Sequence, residues 1–133
     1  MVIDSSAILA LLFNEPEADD VEMAIDEDRV RLMSVASGLE AAIVVEARLG
    51  AAGGREFDLL LHKAQIELVA VTSEQAEAGR TAWRRFGRGR HEANLNFGDC
   101  LSYALAVVSS EPLLSKGDDF SKTDVQRVML GRE

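Results

Sequence analysis

Four strand-length apolar runs, each short, are separated in this chain by stretches long enough to be helices. The runs are residues 1–3, 31–34, 66–71 and 112–115, with 125–129 a candidate fifth. A short apolar run bounded by turn residues fits a strand buried on both faces. Strands that alternate with helices form a mostly parallel sheet with helices on both sides. The expected fold class is therefore α/β: a twisted parallel sheet flanked by helices on both faces, three layers deep. The chain has 133 residues, a common size for one domain, taken as 1–133. Helices are expected at 5–13, 17–28, 35–49, 55–65, 73–86 and 97–109, with Gly50 and Gly53 separating the third from the fourth. Ser73 is read as the cap of the fifth helix, with Trp83 and Phe86 on its core side. Asn96 and Asp99 have capping-box spacing at the sixth.

Charge and composition narrow the chemistry. The net charge is −9, which excludes a broadly basic nucleic-acid binder. It leaves open a site in which carboxylates hold a divalent ion that holds phosphate. The single cysteine, Cys100, excludes an intrachain disulfide and a zinc site built on several thiolates. Two histidines, His62 and His91, cannot make a three-His site. No apolar run approaches the ~20 residues that span a bilayer. Residues 7–13 are apolar but follow Asp4 rather than Lys or Arg, a poor signal peptide. A cytoplasmic protein without membrane contact is expected.

Four acidic residues stand at positions that capping or solvation only partly explains. Asp4 ends the first strand and reads as the N-cap of the next helix. Glu40 has apolar residues (Ala36, Ile43, Val44 and Ala47) three, four and seven positions away, with Ser37 the other polar side chain between Val35 and Val45. It faces either a cleft or a narrow solvated edge. Asp99 opens an apolar helix, where a first-turn acid suits the dipole. Asp119, with Asp118 before it, follows the fourth strand in a turn. In a parallel sheet all four reach one edge, beyond the carboxyl ends of the strands, where ligands collect. Carboxylates about 5 Å apart repel by ~3 kcal/mol per pair at an effective dielectric of 20. A hard divalent cation relieves this, and oxygen-only ligands select Mg²⁺ or Mn²⁺. Water attack on a phosphodiester is the chemistry that uses such ions.

The segments MVIDSSAILALLFNEPEA, SVASGLEAAIVVEAR, GRGRHEANLNFGDCLSYALA and LLSKGDDFSKTDV together resemble the PIN-domain nucleases, most closely the VapC-type toxins of bacterial toxin–antitoxin pairs. The resemblance implies metal-dependent cleavage of structured RNA, often transfer RNA, with Mg²⁺ or Mn²⁺ as cofactor. It makes Asp4, Glu40, Asp99 and Asp119 the acidic quartet, with Asp4 and Asp99 the metal ligands and Ser6 in support. Thr123 and Asp124 fall in the matching tail motif, and Asp118 or Asp124 is left as an alternative to Asp119. The implied partners are a cognate antitoxin whose tail covers the cleft, an RNA substrate and a second copy in a homodimer. Glu92 and Asn94 depart from the family's form of that loop.

Two charge blocks complete the reading. Residues 15–28 hold eight acidic side chains and no basic one, a solvated face. Residues 80–91 hold five arginines and no acid. Arg85, Arg88 and Arg90 are candidate RNA contacts, with a solvated face as the other reading. Two other functions are weighed against the nuclease. One is a catalytically silent PIN-like domain that binds RNA or protein. The other is a phospho-acceptor signalling domain, disfavoured because no Asp follows the strand at 66–71.

Overall fold

A computed structural model describes residues 1–131; the last two positions of the 1–133 domain expectation lie outside the described residues. Four parallel strands lie in the order β3-β2-β1-β4, with β1 Val2–Ile3, β2 Leu32–Ser34, β3 Glu67–Val69 and β4 Leu113–Leu114. Val2 pairs with Leu32 on one side and Leu113 on the other. The fifth run does not become a strand: residues 125–129 touch the sheet through a single parallel bridge, Leu113 to Arg127.

The two-residue period of a strand decides which side chains meet which helices. Ile3, Met33 and Leu114 face one way, into a core with α1 (Ser5–Leu12), α2 (Ala18–Glu27) and α3 (Val35–Lys63). Val2, Leu32, Leu113 and Val69 face the other way. They pack with Phe86, Tyr103 and Leu105 of α4 (Ser73–Phe86) and α5 (Phe97–Ser109). Helices therefore cover both faces, as the alternation of runs predicts. Each parallel crossover returns the next strand in the same direction, so every strand's carboxyl end lies at one edge of the sheet.

Two local readings differ from expectation. Thr72, not Ser73, caps α4, its hydroxyl accepting from Gln75 N at 3.1 Å. Trp83 lies 44% exposed rather than in the core, while Phe86 is buried. Four residues per helical step carry the ring past the core stripe, and Ala82 takes the inward position. The two helices expected at 35–49 and 55–65 are found: within α3 the helical backbone breaks at Gly50, at φ 69° and ψ −161°. That backbone region is open essentially to glycine alone. Nothing lies within 4 Å of a Cβ placed there, so the conformation itself is the constraint. Gly50→Ala is expected to destabilise the fold by ~1–3 kcal/mol. Urea denaturation measures it, and a variant equal to wild type would mean that the kink is not held in solution.

Candidate active site

Asp4 leaves β1 at the carboxyl edge, where its N–H donates to Leu114 O at 2.9 Å. Its Oδ2 accepts from Ser6 N at 3.1 Å, which caps α1. Its Oδ1 accepts from Ser102 Oγ at 2.5 Å, and Ser102 Oγ lies 3.1 Å from Ser37 Oγ. Asp4 is only 4% exposed, and both serines are buried. The cap and the site are therefore one carboxylate in two roles, with a separate donor for each oxygen. The four strands have brought it under the first turns of α3 and α5.

Glu40 stands in the second turn of α3, exposed, with its Oε1 accepting from Ser5 Oγ at 2.7 Å. Of the two readings open for it, the solvated edge is the one found. Its apolar neighbours do not enclose it, and Leu39 and Ile43 are themselves exposed. The start of α5 comes up against it: a Cβ on Gly98 would sit 2.7 Å from Glu40 Oε2. A side chain at 98 would displace the Glu40 carboxylate.

Asp99 completes the capping box that its spacing suggests. Its Oδ2 accepts from Asn96 N at 3.1 Å, and Asn96 Oδ1 accepts from Asp99 N at 2.8 Å. Burial is the first cause that pushes the Asp99 carboxyl up, to about 6. The Asn96 N–H opposes this, and the charges of Asp4, Asp119 and Glu40 add to it. Asp119, exposed, opens the 3-10 turn Asp119–Lys122 after β4. The quartet therefore converges on Asp99 through its electric field.

Asp124 is engaged elsewhere. It accepts from Tyr103 Oη at 2.5 Å and from Arg85 Nη1 at 2.9 Å, bonds that hold its own carboxyl below the usual range. Tyr103 is pushed up to about 12, by burial first and then by this carboxylate. Asp124 thus latches the C-terminal segment to α4 and α5. Arg85 is spent on the same latch, while Arg88 and Arg90 remain exposed. Ser6 Oγ accepts from Lys116 N at 2.9 Å, tying the segment after β4 to α1. His91 organises its loop: Nδ1 accepts from Ala93 N at 3.0 Å and the ring meets Phe86 edge-on.

Three serines were not singled out by sequence. Ser37 and Ser102 are the polar interruptions of two apolar helices, and Ser5 adjoins Asp4. A buried hydroxyl in an apolar stripe needs a partner, and that signal, followed through, leads from Ser102 to Asp4.

Among the described residues no three His, Cys, Asp or Glu side chains form a group that could hold a metal ion. The donor set still suits a hard dication. It is all oxygen, and Asp4 and Glu40 are each oriented by a hydroxyl donor. The unrelieved charge falls on Asp99, where a cation would act.

The model for the PIN domain family matches residues 1–126. A ribonuclease VapC of Mycolicibacterium smegmatis is 59% identical over 128 residues, 96% of this chain and 99% of that one. Among solved structures, Mycobacterium tuberculosis VapC20, described as a sarcin-ricin loop cleaving toxin, superposes with a TM-score of 0.75 at 17% identity. The match covers 96% of this chain and 97% of that one. A toxin–antitoxin complex from Klebsiella pneumoniae gives 0.69 at 14% identity, with 92% of each chain covered.

The raised Asp99 pKa has a signed consequence for stability. The folded state holds this proton more tightly than the unfolded chain, for which the ordinary value is 3.8. Stability present at low pH is therefore lost as pH rises through about 4 to about 6. In chelator at pH 7, Asp99→Asn is expected to melt above wild type by a margin of order 2 kcal/mol. The gap should close by about pH 4, where wild-type Asp99 is protonated. An Asn variant that melts lower at both pH values would reduce Asp99 to a helix cap.

Proposed function

Because the chain belongs to the PIN domain family, we propose that it is the ribonuclease toxin of a toxin–antitoxin pair, cutting structured RNA by metal-dependent hydrolysis. What supports this reading is a half-buried Asp99 whose carboxyl is pushed up by burial first and further by the charges of Asp4, Asp119 and Glu40. Such a cluster at a strand-end edge is poised for a dication and a phosphate. The ribonuclease relatives support the RNA substrate, and the toxin–antitoxin complex supports an antitoxin partner.

Asp4 and Asp99 would hold Mg²⁺ or Mn²⁺. Bound there, the ion supplies Lewis-acid polarisation of a phosphoryl oxygen and acidification of water. The chain's own residues do the rest. Ser102 and the Ser6 N–H hold the Asp4 carboxylate in one orientation. Glu40, exposed and steered by Ser5, is placed to accept the proton of the attacking water. Asp119, exposed at the same edge, completes the pocket's negative field. That field also suits a cationic side chain of an antitoxin tail.

The remaining expectations belong to the same reading: one domain over 1–133, a cytoplasmic setting and a homodimer. No helix among the described residues is long and apolar enough to cross a membrane. The homodimer draws support from Val35, Leu39 and Ile43, which make an exposed apolar stripe at four-residue spacing on α3.

Purified protein should cleave a structured RNA with Mg²⁺ or Mn²⁺ and stop in chelator. Asp4→Asn and Asp99→Asn should each lose activity by ~100-fold or more while still folding, as expected when a metal-binding charge is removed. A variant that cuts at the wild-type rate would remove that residue from the site, and cleavage indifferent to chelator would overturn the metal reading.

A further inference from the structure

A cavity of about 640 Å³ opens between α4 and α5 beside the acidic edge. Its walls include Trp83, Phe97, Arg80, Arg88, Asn96 and Cys100. Two features set it apart from an ordinary surface hollow. Phe97 is 83% exposed and Trp83 nearly half exposed, with only the Arg90 guanidinium over the Trp83 ring. Arginines rim the pair, and among the described residues Arg80, Arg84 and Arg88 have no carboxylate partner. In a chain of net charge −9, that is a strong local excess of positive charge.

The Trp83 ring is held in place. The Arg90 guanidinium lies 4.6 Å from its centroid. Gly87 lets the indole rest against the backbone, since a Cβ there would sit 2.8 Å from Nε1. The loop that carries Arg88 and Arg90 is closed by Arg88 N to Leu95 O and Leu95 N to Phe86 O, at 2.9 and 3.0 Å. Asn96 both lines the cavity and caps α5 through Asp99. The cavity and the acid cluster are therefore neighbours across one helical turn.

Aromatic faces stack unpaired bases, and guanidinium groups pair with the phosphates between them. We infer that this cavity takes an unpaired nucleobase of the RNA strand beside the phosphate at the acid cluster, stacked on Trp83 and Phe97 and flanked by Arg80 and Arg88. The inference rests on the ribonuclease reading and gives it a substrate preference: the strand is cut where a base is free to leave its stack. A base held in a duplex cannot enter.

Trp83 is the only tryptophan, so its emission reports this cavity alone. Chelated protein is titrated with oligo(A) of about 12 nucleotides, within the usual span of a single-strand platform. A base-free ribose-phosphate strand of the same length and an RNA duplex serve as comparisons. Oligo(A) should quench Trp83, and the other two should not. Phe97→Ala should weaken oligo(A) binding by ~5- to 100-fold, and Phe97→Tyr should restore it. Arg88→Gln should flatten the log–log salt dependence by ~0.7. Melting checks that each variant folds. Equal quenching by the base-free strand, or unchanged oligo(A) binding by Phe97→Ala, overturns the proposal. Cleavage of RNA in Mn²⁺ by a wild type whose Trp83 is never quenched overturns the subsite alone. A wild type that neither binds nor cleaves RNA overturns the ribonuclease reading as well. Should Phe97→Ala keep RNA binding and lose only neutralisation by a co-expressed antitoxin, the cavity is a protein-docking face and the proposal fails.

Discussion

Like charge gathered at the carboxyl edge of one parallel sheet is the constraint that the surrounding structure accommodates. Asp99, whose carboxyl burial pushes up to about 6, is raised further by the charges of Asp4, Asp119 and Glu40. The accommodation is local and specific. Ser102 and Ser6 supply Asp4 with a donor for each oxygen, and Ser5 supplies one to Glu40. Asn96 closes a capping box on Asp99. Gly98 leaves room for the Glu40 carboxylate against α5. A buried carboxylate without such donors would be protonated or would cost several kcal/mol. The network fixes the orientation of Asp4, Glu40 and Asp99.

Much of this edge was legible in the sequence because parallel β/α topology leaves little freedom. Once residues 1–3 and 112–115 are adjacent strands, Asp4 and the turn holding Asp119 must share an edge. Residues 31–34 bring the first turns of α3, and hence Glu40, to the same place. Asp99 was legible through its cap, since Asn96 and Asp99 have the spacing of a box that forms. What was not legible depended on rotation about a helix axis by a fraction of a turn. The apolar stripe around Glu40 gave no decision between cleft and solvent, because Leu39 and Ile43 are themselves exposed. Trp83 was placed inside for the same reason, and Arg85, Arg88 and Arg90 were read together as candidate RNA contacts. The structure separates them: Arg85 is bound to Asp124, Arg90 covers Trp83, and Arg80 and Arg88 border the cavity. The serine partners of Asp4 were hidden because a lone Ser in an apolar helix carries no address until the fold supplies one.

The positive strip and the acidic edge make sense as a pair. A polyanion would be repelled by a chain of net charge −9 unless part of its surface reversed the sign. Residues 80–91 do so within one helix and one loop, immediately before the cap that delivers Asp99. The Tyr103–Asp124–Arg85 latch fastens the C-terminal segment to the far end of α4 and α5. It leaves the aromatic cavity open on the side of the acids.

Whether the four carboxylates form one site is tested most directly by the response of the fold to a cation. A ligand that binds only the native state stabilises it by ~2.7 kcal/mol at a hundredfold excess over its Kd. Wild-type protein is melted in chelator and in millimolar Mn²⁺ or Mg²⁺, beside Asp4→Asn and Glu40→Gln. The shared site predicts a metal-induced rise in Tm for wild type that shrinks in both variants, although residue 4 follows β1 and residue 40 lies on α3. No rise in wild type, or a rise of equal size in all three proteins, would contradict it.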